Sequence, residues 1–228
     1  MHVECAMSMD AGRNGIYRLT WLLLTLVLLG LSRPVRADQG PVEVLQSMTD
    51  TLVEIVKKDP QVVNDPARLR VIANEVVLPR VDFNTLSRWV LGKYWRSATE
   101  QQRAAFIDEF REMLLGSYLR SVSAYEDNAI VFMPLRGSRK EKLAVVNAVV
   151  EQPDGPEVNV AFRMHKDADG WLIYDVAVEG ISLVATHRTT FSREIRNSGM
   201  DSLIARLHTQ NEKNALLDET ATTGVAAE

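Results

Sequence analysis

The sequence predicts an α+β fold in one domain, with a helical first half followed by an antiparallel sheet. Three observations lead there. From about residue 40 to residue 118, apolar side chains recur at helical spacing and are punctuated by capping residues. From Ile130 the period changes to two, and turn clusters separate runs rich in β-branched residues, so strands follow one another as hairpins instead of alternating with helices. No internal repeat and no long biased linker divides the chain.

The N-terminus is read first because it fixes the compartment. Arg13 and Arg18 precede the apolar run Leu19 to Leu31, and Val35 and Ala37 then stand at the minus-three and minus-one positions of a secretory cleavage site. Residues 1–37 are therefore expected to be a signal peptide. A transmembrane anchor is the competing reading, but the run is short for a bilayer. Cys5 is the sole cysteine and lies in the segment removed, so the mature chain has no disulfide, thiolate metal site or cysteine nucleophile. Cleavage leaves 191 residues, enough to bury roughly 70% of the unfolded surface. Losing four Arg and two acidic residues takes the net charge from −4 to −6, which argues against a nucleic-acid partner and against tight docking on an anionic membrane, while leaving transient contact open.

The helices come next. Leu45, Met48, Leu52, Ile55 and Val56 form one apolar stripe, Asp65-Pro66 reads as an N-cap with Pro at the first helical position, and Leu69, Ile72 and Val76 continue. Asp82 caps a segment that shows Phe83, Leu86 and Val90 on one face and stops at Gly92. Thr99-Glu-Gln-Gln102 is a capping box that opens what is expected to be the longest helix, with Phe106, Phe110, Met113, Leu114 and Tyr118 facing inward.

In the sheet, polar residues fix the faces. Glu157, Asn159, Arg163 and His165 point to water, leaving Val158, Val160, Phe162 and Met164 inward; Asn147 and Glu151 leave Ala144, Val146, Ala148 and Val150 inward. Asp175 and Glu179 predict Leu172, Tyr174, Val176 and Val178 inward by the same parity. Gln152-Pro-Asp-Gly-Pro156 and Lys166-Asp-Ala-Asp-Gly170 are the turns. After Ile181 and Val184 a last helical region carries Phe191 and Ile195, then Gly199 and the stripe Leu203, Ile204, Leu207. The domain is expected over 38–210, with 211–228 a disordered tail.

Catalytic signatures are weak. Gly180-Ile-Ser182-Leu-Val184 begins like a nucleophile elbow but has Val where the second Gly is required. A Ser182–His187–Asp175 triad is conceivable, against a Ser that simply bonds the backbone where strand becomes helix. His165 is expected to be solvated, and no His pair has metal-ligand spacing. Asp167-Ala-Asp169-Gly170 lacks the downstream ligands of a calcium loop. Arg96, Arg103, Arg111 and Arg188 are candidates for a phosphate group, against plain exposure to water. Trp95 and Trp171 read as packing residues.

Trp171-Leu-Ile-Tyr-Asp-Val-Ala-Val-Glu-Gly-Ile-Ser182, Leu78-Pro79, Leu91-Gly92-Lys-Tyr-Trp95, and Gln102 followed by Phe106 and Phe110 occur in an order and spacing that resembles the MlaC / toluene-tolerance family of periplasmic phospholipid-binding carriers. The resemblance spans roughly residues 40 to 210. It implies helices wrapped on a curved antiparallel sheet, a cone like that of nuclear transport factor, with an apolar cavity between the layers. Lipid-binding residues are then Phe83, Leu86, Val90, Phe106, Phe110, Met113, Leu114, Val146, Ala148, Val150, Val158, Val160, Phe162, Met164, Tyr174, Val176, Val178, Ile181 and Val184. It also implies a monomer in the periplasm, without cofactor, metal or catalysis. Its partners would be a phospholipid ligand, an inner-membrane MCE-domain ABC transporter complex and an outer-membrane lipoprotein–porin complex. A hopanoid-associated branch carrying another lipid, and a filled-core interaction protein of the same fold, are the alternatives. Two acyl tails hold about 30 methylenes, worth roughly 24 kcal/mol if exposed, and fill on the order of 800 Å³, a volume within the range of ligand pockets.

Overall fold

Strands β1 (Ala129–Phe132), β2 (Leu143–Glu151), β3 (Val158–Asp167), β4 (Gly170–Val178) and β5 (Ile181–Ser182) pair in sequence order as one antiparallel sheet. This computed structural model describes residues 39–118, 129–135, 142–153, 155–168 and 170–225. The expected signal peptide, residues 1–37, lies outside them. Residues Gln39–Glu228 form one unit, and no helix among the described residues is long and apolar enough to cross a membrane.

Turn chemistry explains the hairpins. Asp167 pairs with Gly170 across a two-residue connection, the expected hairpin turn. Between β4 and β5, Glu179 (φ +48°) and Gly180 (φ +77°) are both left-handed, the pattern of the tight hairpin turn whose twist matches the strands. One irregularity matters later. Arg163 faces Asp175 but Met164 faces Ile173, so Tyr174 is an extra residue that bulges β4.

Helix boundaries follow their caps. Helix α1 (Pro41–Lys58) starts on a proline, carries Glu43 in its first turn and Lys57 and Lys58 in its last, and buries Val44 and Leu45. After a 3₁₀ turn at Pro60–Asn64, the Asp65 side chain accepts from Arg68 N to open α2 (Pro66–Ile72). A wider π turn (Ala73–Val77) and a 3₁₀ turn (Leu78–Arg80) bring Val81 beside Ile173, where it extends the β4 edge in parallel. Asp82 caps α3 (Phe83–Leu91), which stops at Gly92 (φ +56°) before the short α4 (Lys93–Ser97). The capping box closes reciprocally at the start of α5 (Glu100–Tyr118): Gln102 N donates to Thr99 Oγ1 at 3.1 Å and Thr99 N to Gln102 Oε1 at 3.0 Å.

Ser182 caps α6 (Leu183–Ser198), and Gly199 separates it from α7 (Met200–Val225). Two expectations change here. Among the described residues the longest helix is α7, at 26 residues against 19 for α5. Nor is 211 onward a disordered tail from its start, because α7 continues through it. Asn211 donates to the Glu109 backbone carbonyl at 2.9 Å, and Asn214 is buried beside Gly116, so α5 holds this stretch in place. The polar composition there misled because its amides bond across to a helix rather than to water.

Two hydrophobic clusters result. A helical one joins Leu86, Val90, Leu91, Phe106, Phe110, Val184, Phe191, Ile195, Leu203 and Leu207. A second lies on the sheet, where Val44 and Leu45 of α1 meet Val146, Met164, Trp171 and Ile173.

Candidate functional site

Register builds one apolar face from four strands. Val146, Phe162 and Val176 stand in one row; Phe132, Ala148, Val160 and Val178 in the next; Ile130, Val150 and Val158 in the last. At one end the face is closed, since Val146 and Met164 are fully buried with Trp171 and Ile173 against α1. Toward the other it opens. Val150, Val158 and Val160 are half-buried, Ile130 is 38% exposed and Val178 46%. Ala148 and Ala144 keep the floor shallow between larger neighbours. The open end is rimmed by Glu179, whose Oε1 accepts from the backbone N–H of Asn159 and from its Nδ2 at 3.2 Å, while Glu179 N donates to Asn159 O at 2.9 Å. That clasp holds a non-glycine residue in the left-handed region.

The nineteen sequence-predicted residues divide between two places. Val146, Ala148, Val150, Val158, Val160, Phe162, Met164, Val176 and Val178 share the sheet face. Leu86, Val90, Phe106, Phe110, Met113, Leu114 and Val184 belong to the helical cluster instead, where Phe106, Phe110 and Phe191 pack ring against ring. Phe83 is half-buried at the start of α3, and Ile181 is 69% exposed at the β5 turn. Tyr174 and Leu172 are corrected. The bulge displaces the parity of the first half of β4, so Ile173 and Trp171 take the inner face, while the Tyr174 ring lies 5.9 Å from that of His165.

Sequence reasoning missed the layer opposite the face. Val44 and Leu45 of α1 supply it. The stripe containing Leu45 was visible, but periodicity does not say which helix lies on a sheet. Polar residues marked only the C-terminal half of β4, so the bulge left no signal in the apolar run Trp171 to Tyr174.

On the reverse face lies a polar network. Asp175 is buried and receives an ion pair from Arg163, a hydrogen bond from Ser182 Oγ at 2.7 Å and one from Val184 N at 3.1 Å. Ser182 Oγ in turn accepts from Ala185 N at 3.1 Å. The Ser182 hydroxyl is thereby committed to the strand-to-helix corner, and His187 packs 5.3 Å from the rings of both Phe110 and Phe191, so no triad forms. Burial pushes the His187 pKa down. His165 is paired rather than solvated: its Nε2 meets Asp82 Oδ2 at 2.8 Å. Desolvation would raise the Asp82 pKa, but the hydrogen bonds from Thr85 and His165 together outweigh it and hold the carboxyl below its ordinary value.

Among the candidate phosphate ligands, Arg103 lies over the Trp95 ring and donates to the Trp95 carbonyl at 2.9 Å, and Arg111 pairs with Asp108. Arg188 lies over Gly92, and Arg96 is exposed. No group of three His, Cys, Asp or Glu among the described residues is placed to hold a metal ion. A surface hollow of about 400 Å³ follows the polar side of α1, lined by Glu43, Gln46, Asp50 and Glu54. Its carboxylates make it a poor place for an apolar ligand, and the half-covered sheet face is the better candidate.

The chain was compared with known proteins. A family model described as MlaC protein matches residues 46–209. The intermembrane phospholipid transport system binding protein MlaC of Haemophilus influenzae is 24% identical over 191 residues, 81% of this chain and 89% of that protein. The toluene tolerance protein ttg2D of Pseudomonas putida is 26% identical over 167 residues, 72% of this chain and 77% of that one. A Ralstonia solanacearum phospholipid-binding protein, solved in complex with a phospholipid, superposes with a TM-score of 0.69 at 23% identity, covering 75% of this chain and 97% of its own.

Proposed function

This chain belongs to the MlaC family, and from that premise we propose that it is a soluble periplasmic carrier that shields the acyl tails of one phospholipid on the open end of its sheet face. One observation carries the proposal. An apolar face of four strands is dry where α1 covers it and only half-covered around Val150, Val158, Val160 and Val178. Exposed apolar surface of that extent is costly unless something occupies it.

Tails laid there exchange water for valine side chains, and each buried methylene contributes about 0.8 kcal/mol. The head group stays at the rim near the Asn159–Glu179 clasp, in water. The helical cluster, with its stacked phenylalanines, is the scaffold behind the site. Lipid class is supported by the relatives: the Haemophilus influenzae protein is named for phospholipid transport, and the Ralstonia solanacearum protein was solved with phospholipid bound. Delivery to an inner-membrane MCE-domain transporter and exchange with an outer-membrane lipoprotein–porin complex complete the proposal.

The chemistry required is exclusion of water and release on contact, so no ionisable group need titrate. Ser182, the one hydroxyl with a superficial catalytic look, is occupied by Asp175 and Ala185 N. Solvent extraction of protein purified from the periplasm, followed by mass spectrometry, tests the proposal. About one phospholipid per chain is expected. Lipid-free protein that takes none up from liposomes would refute it.

A further inference from the structure

Positive charge is distributed unevenly on this acidic protein. Elsewhere in the fold most arginines face a carboxylate, Arg80, Arg103 and Arg196 excepted among the described residues: Arg68 meets Asp59, Arg70 meets Glu112, Arg111 meets Asp108, Arg163 meets Asp175 and Arg206 meets Glu194. The elbow joining α3, α4 and α6 differs. Residues 83–99 hold Arg88, Lys93 and Arg96 without an Asp or Glu, and residues 183–193 hold Arg188 and Arg193, again without one. These stretches are neighbours in space. Helix α3 packs on α6, and the Arg188 guanidinium crosses Gly92 with its Nε 2.9 Å from where a Cβ would stand.

All five cations are exposed, and among the described residues none of them has a carboxylate partner. Beside Arg88 on the outer surface of α3, Trp89 is 54% exposed. It is the one exposed large apolar side chain in the two stretches. Its indole thus stands largely in solvent among the cations, outside both hydrophobic clusters.

We propose that this elbow docks the protein on an anionic phospholipid bilayer, with Trp89 at the level of the head groups and Arg88, Lys93, Arg96, Arg188 and Arg193 against the phosphates. The proposal rests on the carrier reading, since a carrier that exchanges lipid with membrane-embedded complexes works beside the bilayers that hold them. Charge complementarity selects an anionic occupant. The composition then selects a bilayer over an acidic protein, because protein interfaces are built around contiguous apolar cores, whereas one amphipathic ring among long cationic side chains is the pattern of membrane-interface anchoring. Five cations near the surface attract anionic lipid without creating a permanent attachment, and added salt weakens the attraction.

Flotation of the purified, lipid-loaded protein with phosphatidylcholine vesicles, with and without phosphatidylglycerol, tests this. Binding is expected to favour the anionic vesicles and to fall at high salt. Arg88→Glu with Lys93→Glu should lower partitioning by at least roughly tenfold, each cation being worth about fivefold, and Trp89→Ser should lower it severalfold. Reversing Lys57 and Lys58 on α1 should change it by less than about twofold, since those charges lie off the elbow. Circular dichroism and extracted lipid are measured on the same samples. Equal losses for the elbow and α1 pairs, indifference to phosphatidylglycerol, or an elbow variant that binds vesicles normally while losing an acidic protein partner would overturn the proposal. Failure of the carrier reading would look different, because no lipid would then come from the parent protein.

Discussion

Phe106, Phe110 and Phe191 sit 5.4 to 5.8 Å apart, centre to centre, among fully or almost fully buried leucines and valines, whereas Val150, Val158, Val160 and Val178 line up on the sheet with nothing comparable among the described residues closing over them. Both regions are apolar. They differ in what lies opposite. Four helices, α3, α5, α6 and α7, supply side chains long enough to fill the helical cluster, while among the described residues α1 presents Val44 and Leu45 to one end of the sheet. A filled region stores stability and an underfilled one stores capacity, so mutations in the two should separate folding from binding.

The sharpest separation is expected from Phe110→Ala. It should cost about 3–5 kcal/mol in urea unfolding, with lipid per folded chain unchanged. Loss of lipid from the folded fraction would move the site into the helical cluster. Asp175→Ala comes second, at about 2–3 kcal/mol, because Val184 N, Ser182 and Arg163 lose a charged acceptor at a buried corner. Here too lipid content should hold.

Smaller in stability but opposite in kind is Val160→Glu. On a half-buried position it should cost about 1–2 kcal/mol and largely abolish bound lipid, read by native mass spectrometry. The outward control must be chosen with care. Asn159 alternates with Val160 but holds Glu179, so Asn147, exposed on the reverse face, is the better position, and Asn147→Glu should alter neither property. Equal effects at Val160 and Asn147 would mean the faces are reversed.

The smallest effect concerns pH. His187 is neutral among Phe110 and Phe191, and its pKa lies below the ordinary 6.5. The unfolded chain therefore takes up the proton first, so this contribution to stability is complete above pH 6.5 and declines as pH falls through 6.5 toward the lowered folded value. His208 has the opposite sign. Its hydrogen bond and charge interaction with Glu109, with Glu212 nearby, raise its pKa, giving a contribution present below pH 6.5 and lost as pH rises through the folded value. His187→Phe should flatten the first slope in denaturation curves and leave the second.

Much of this comparison was legible in the sequence because local chemistry wrote it there. Asp65, Asp82, Thr99 and Ser182 cap the helices they precede, and the turn residues place the hairpins. Face assignment in β2 and β3 followed from Asn147, Asn159 and Arg163. What stayed hidden was relational. A one-residue bulge at Tyr174 has no polar marker, so Trp171 and Ile173 went unrecognised as inner-face residues. Phe106 and Phe110 read as tail contacts and pack against Phe191 in the structure, a contact that the stripe could not announce because it is equally apolar whether it meets a ligand or another ring. His165 looked solvated because its partner Asp82 is far away in sequence.

Methyl-resolved NMR with a phospholipid carrying a paramagnetic label in its acyl chain tests the central claim most directly. Signals from Val150, Val158, Val160 and Val178 should broaden on uptake, while those of Val90, Leu203 and Leu207 remain sharp. Broadening centred on Leu203 and Leu207, with the sheet valines untouched, would contradict the account.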